Sequence, residues 1–67
     1  MFTAILKKSG PWWIGWIEEV PGVNCQEKTK EELIESLRTA LKEVFDIYRS
    51  EARKEAGTDF ETELIAL

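Results

Sequence analysis

Sixty-seven residues, one cysteine, no histidine and a formal net charge of −4 leave little material for chemistry. The length supports a single domain with a thin core. An intrachain disulfide lacks its second cysteine, and the nitrogen and sulfur ligands of a structural zinc site cannot be assembled. Among the usual aids to so small a domain, oligomerisation is the one left.

The charge is unevenly placed. Residues 1–28 set Lys7, Lys8 and Lys28 against Glu18, Glu19 and Glu27, so all the excess acid follows Thr29. Such a chain lacks the clustered Lys and Arg that drive nucleic-acid binding, and no direct nucleic-acid contact is expected. An acidic surface suits a basic protein partner instead. The lone thiol points to a reducing compartment. No apolar run reaches the length of a signal peptide or membrane span, so a cytoplasmic location is expected.

In chain order, residues 2–8 read as a strand, and Ser9-Gly10-Pro11 reads as a turn. Residues 12–18 return as the second strand of a hairpin, and Val20-Pro21-Gly22 ends it. Residues 23–26 are long enough for a short third strand. Thr29-Lys30-Glu31-Glu32 matches a capping box, in which the threonine hydroxyl and the Glu32 carboxylate each serve the other's amide. Leu33, Leu37, Leu41, Val44 and Tyr48 then recur at helical spacing, widened by Ile34, Ala40, Phe45 and Ile47. Gly57 is a natural stop, with Arg53 and Lys54 in the last turns where the helix dipole favours them. One helix over residues 30–56 is predicted.

Residues 60–67 alternate and read as a final strand. Phe60, Thr62, Leu64 and Ala66 lie on one face, with Glu61, Glu63, Ile65 and Leu67 on the other. The element order is then β-β-β-α-β. A right-handed crossover places the last strand parallel to the first. That gives a two-layer α+β domain: a four-stranded mixed sheet ordered 3-2-1-4, with the helix on one face.

The candidate site follows from the second strand. Alternation puts Trp12, Ile14 and Trp16 on one face and Trp13, Gly15 and Ile17 on the other. Gly15 belongs against the helix, because a missing side chain permits close approach. Trp12, Ile14 and Trp16 then face away from the only helix, and an open aromatic face marks an interaction site. Self-association is expected through this face, helped by the last strand's edge with Glu61, Glu63 and Ile65. The bland reading has Trp12 capping the core edge and only Trp16 partly exposed.

The remaining chemistry is sparse. Asp59, Glu61 and Glu63 invite a metal-dependent nuclease reading, but a charged, aggregation-resistant strand edge explains them more simply. Cys25 has no histidine to activate it. Ser9, Ser36 and Ser50 have no base in a recognisable arrangement, and no glycine-rich phosphate loop is present. Neither catalysis nor a cofactor is expected.

The opening strand Phe2-Thr3-Ala4-Ile5-Leu6-Lys7, the stretch from Ile14 through Pro21-Gly22, and the run Gln26-Glu27-Lys28-Thr29-Lys30-Glu31-Glu32-Leu33 come in an order that resembles the HicB family of antitoxins. The resemblance spans nearly the whole chain and includes the helix length. It departs at Glu18, where the family usually has proline, and at Val23, where a small residue or cysteine is common. The resemblance implies a partial RNase H-like fold and a single HicB-like domain over residues 1–67. It also implies a partner, a small RNA-cleaving toxin of the HicA type, blocked by protein–protein masking. Full-length HicB proteins add a C-terminal DNA-binding domain, which is not expected within these residues. The alternative is a stand-alone homo-oligomeric module, a dimer or larger, with a different partner.

Overall fold

A computed structural model describes residues 1–67 and contains four elements: β1 (Ala4–Ser9), β2 (Trp12–Ile17), β3 (Asn24–Glu27) and α1 (Lys30–Ala56). The strands form one antiparallel sheet in the order β1-β2-β3, and α1 covers one face of it.

Local chemistry explains each boundary. Gly10 has φ +59 and precedes Pro11, placing glycine at the first central position of a two-residue hairpin loop. That loop sets Ser9 opposite Trp12 and fixes the register through to Ala4 opposite Ile17. After β2, Pro21 followed by Gly22 at φ +90 makes a turn of type II form, closed by the Val23 amide donating to the Val20 carbonyl at 3.4 Å. The turn folds Val20 and Val23 inward, where both are buried.

The α1 caps are local too. Thr29 is extended at φ −125, ψ 155, and its hydroxyl oxygen accepts from the Glu32 amide at 3.1 Å. The same hydroxyl donates to the Glu32 carboxylate at 2.9 Å. The reciprocal bond therefore runs to the threonine side chain instead of its amide. At the other end the Gly57 amide donates to the Arg53 carbonyl at 3.1 Å, with φ +82.

The core is Ile17, Val20, Val23, Leu33 and Leu37, flanked by Leu6, Trp13, Cys25, Ala40, Leu41, Val44 and Phe45. At its centre the helix meets the sheet over Gly15. A Cβ there would lie 2.8 Å from the Ile5 carbonyl oxygen, 3.0 Å from Leu33 Cδ2 and 3.3 Å from Leu37 Cδ1.

The final strand expected over residues 60–67 is absent, and so is the four-stranded mixed sheet, the 3-2-1-4 order and the partial RNase H-like fold that required it. The reason is helix length. Twenty-seven residues of α1 span about 40 Å at 1.5 Å per residue, whereas a six-residue strand spans about 20 Å. From Asp46 onward every helix residue is exposed. The tail therefore begins well beyond the sheet and runs back along the last helical turns, with the Arg53 guanidinium 5.8 Å from the Phe60 ring. The overhang also sets the shape: the radius of gyration is 15.5 Å, against about 11 Å for a compact chain of this length.

Gly15→Ala is expected to destabilise the domain by about 1–3 kcal/mol through overpacking, because the nearest obstacle is backbone. Urea unfolding followed by helix circular dichroism checks this, and an unchanged midpoint would show that α1 does not rest on Gly15.

Candidate protein-interaction surface

The register turns β2 into an apolar spine on the uncovered side of the sheet. Trp12, Ile14 and Trp16 alternate outward, while Trp13, Gly15 and Ile17 turn toward α1. Trp12 and Trp16 are 36% and 41% exposed, and Ile14 is half-buried. Both tryptophans therefore reach solvent, so Trp12 is not sealed into the core edge.

Cross-strand partners complete the face. Ile5 and Asn24 flank Trp16, Lys7 and Gln26 flank Ile14, and Ser9 lies beside Trp12. The Lys28 ammonium sits 6.0 Å from the Trp12 ring. An apolar middle with a largely polar margin is the anatomy of a protein interface. A shallow depression of about 380 Å³ crosses it between Ile14, Trp16, Asn24 and Gln26. Ile5, Asn24 and Gln26 escape a reading of β2 alone. The Gly10-Pro11 turn carries the signal for Ile5, because a two-residue loop fixes which β1 residues lie opposite Trp16.

Beside β3 the surface is acidic. Glu27, Glu31, Glu32 and Glu35 line a depression of about 460 Å³ with Ser36. The Ser36 hydroxyl donates to the Glu27 carboxylate, tying the end of β3 to the helix.

Glu61, Glu63 and Ile65 are not gathered with the tryptophan face. They lie on the exposed tail, with no strand to hold them. Asp59, Glu61 and Glu63 do not form a carboxylate cluster, and nowhere do three acidic or thiol side chains converge as a metal ion requires. Cys25 is half-buried opposite Gly15, and burial, with Glu27 nearby, raises its thiol pKa above 9.0. A raised pKa reduces the thiolate fraction, which is the reactive form. No helix of the chain is long and apolar enough to cross a membrane.

The edge of the surface is pinned by a clamp that sequence reading misses. The Glu19 carboxylate accepts from the Thr3 amide and the Thr3 hydroxyl, both at 2.7 Å. These bonds, the amide first, hold the Glu19 pKa below its ordinary 4.5. A depressed carboxylate pKa means that the clamp is fully formed above the unfolded value and is lost as pH falls through the folded one. The Thr3 amide resonance is therefore expected to titrate with a midpoint below 4.5. A midpoint at or above that value in a proton–nitrogen correlation series would remove the clamp. The second expectation concerns Cys25: alkylation by iodoacetamide at pH 8 should be slower than for an unstructured thiol and should accelerate on unfolding.

No protein-family model, curated protein or solved structure matches this chain.

Proposed function

We propose that the chain works by protein association, as a HicB-like antitoxin that binds and masks a small, basic, RNA-cleaving toxin of the HicA type in the cytoplasm, with no catalysis of its own. The observation that carries this reading is the Trp12–Ile14–Trp16 spine, which nothing in the chain covers. Large aromatics at the centre of a polar-rimmed patch are the side chains that dominate interface energy. The acidic depression at the β3 edge, on the helix side of the sheet, suits a basic partner and adds steering by opposite charge. The motif order from Phe2 to Leu33 supplies the resemblance to antitoxins.

The test is inhibition of RNA cleavage by a purified small basic protein of the HicA type, sought first in the gene beside this one; absence of any such neighbour would count against the antitoxin reading. Cleavage should stop at stoichiometric antitoxin. Trp16→Asp should weaken inhibition by roughly tenfold or more, because it places a charge at the desolvated centre of the interface. Equal inhibition by wild type and a folded Trp16→Asp variant would sink the tryptophan-face reading.

A second reading, a homo-oligomeric module, is favoured by a different observation: β1 has an unpaired edge while residues 64–67 have no packed surroundings. Under it the native chain sediments as a dimer or larger species at micromolar concentration. Where the tryptophan face makes the contact, Trp16→Ala shifts it toward monomer while the helix signal survives, since Trp16 lies outside the core; where the β1 edge makes it, the variant stays associated.

A further inference from the structure

An unpaired strand edge and an unpaired alternating segment are present in the same chain. In β1 the backbone groups of Ile5, Lys7 and Ser9 point toward β2, because the Glu18 amide donates to the Thr3 carbonyl at 2.9 Å and bonded pairs recur every second residue. Those of Ala4, Leu6 and Lys8 therefore point outward, along the sheet edge where no strand follows. Such an edge is a template for another strand. Meanwhile Leu64 and Ile65 are 100% and 82% exposed.

We propose that a second copy of this chain fills the edge: residues 62–67 of each copy pair antiparallel with β1 of the other. The inference rests on the self-association reading above and specifies its contact.

Direction is decided by side chains. With Glu63 opposite Lys7, an antiparallel tail sets Ile65 opposite Ile5, Leu64 opposite Leu6 and Ala66 opposite Ala4. Every one of these pairs is favourable, being either opposite in charge or apolar on both sides. The same register places Thr62, Leu64 and Ala66 against Lys8, Leu6 and Ala4, the residues whose backbone groups face outward. Leu64 then continues the core face beside Leu6, while Ile65 lengthens the open-face row of Trp16 and Ile5 by one residue, on the side of Ile5 away from Trp16.

A chain's own tail does not supply this arrangement. β1 and β3 are both antiparallel to β2, and α1 runs back from β3. A tail returning to its own sheet thus runs parallel to β1. A parallel register that keeps Ile65 opposite Ile5 sets Leu67 opposite Lys7. It also brings Glu63 to Thr3, whose amide and hydroxyl are already held by the Glu19 carboxylate. Charge and pattern are satisfied by the antiparallel direction, which a second copy provides. The exchange is reciprocal, so it closes as a two-fold dimer, with the left-handed Gly57 and residues 58–61 as the connecting arm.

The test uses the full chain with Cys25→Ser, carrying Ala4→Cys and Ala66→Cys. Bonded antiparallel pairs lie about 5.5 Å apart at Cα, within disulfide reach. Oxidation should yield a covalent dimer on a non-reducing gel. In parallel, Lys7→Glu should weaken the dimer by about tenfold, as attraction becomes repulsion in both reciprocal contacts, and adding Glu63→Lys should restore it. Neither residue packs in the core, so folding is not at stake. A native chain that sediments as a monomer at tens of micromolar would overturn self-association and this inference together. Two results would overturn strand exchange alone and leave a face-to-face dimer. One is a native dimer whose doubly substituted form makes no disulfide between chains. The other is a dimer indifferent to Lys7→Glu.

Discussion

The rest of the structure depends on the missing side chain at Gly15. Leu33 and Leu37 seat directly on the β2 backbone there, within van der Waals reach of where a Cβ would stand. Because neighbouring strand residues alternate, seating α1 at Gly15 commits Trp13 and Ile17 to the covered face. It equally commits Trp12, Ile14 and Trp16 to the open one. One vacancy therefore sets both the core and the surface. The tryptophan spine is a consequence of parity, since no register of β2 can bury all three tryptophans beneath one helix.

The second constraint is the mismatch between a helix of 27 residues and strands of six or fewer. The first half of α1 supplies Leu33, Leu37, Ala40, Leu41, Val44 and Phe45 to the core region. Beyond that the apolar stripe continues with no strand beneath it, and Ile47 and Tyr48 are more than half exposed. The Phe2–Phe45–Tyr48 aromatic contacts, at 5.3 and 6.2 Å between ring centroids, extend the packing toward the overhang, and Phe60 of the tail lies against Arg53 at its end. A chain that buries five apolar residues gains about 1.5–3 kcal/mol from each. That is small beside the conformational entropy of ordering the chain. Association offers the apolar contact that the monomer lacks.

What is legible in the sequence is what local chemistry decides. The α1 bounds coincide with the reading from Thr29 and Gly57, because caps and 3.6-residue periodicity act within a few residues. The face assignment of β2 follows from Gly15 for the same reason. The final strand fails because alternation in residues 60–67 states only which side chains would share a face, never whether an edge is within reach. That depends on where a helix of about 40 Å delivers the chain, which is a non-local matter. The Thr3–Glu19 clamp joins residues 16 apart and follows no motif. Ile5, by contrast, is within reach of the sequence once Gly10-Pro11 is taken as a two-residue loop.

The open face and the open edge are different resources, and using one does not consume the other. Pairing at the β1 edge extends the sheet sideways, in the plane of the strands. It leaves Trp12 and Trp16 facing outward and adds an apolar neighbour to Ile5. A face-to-face dimer does the reverse, hiding the tryptophans and leaving both β1 and its unpaired backbone groups in solvent. A protein that must hold a partner on the tryptophan face therefore has reason to self-associate at its edge. The charge distribution agrees with that division. Lys7 on β1 is opposite in sign to Glu61 and Glu63, while the acidic depression of Glu27, Glu31, Glu32 and Glu35 lies on the β3 side, away from β1. Edge pairing by opposite charge would thus leave the acidic side free for a basic partner.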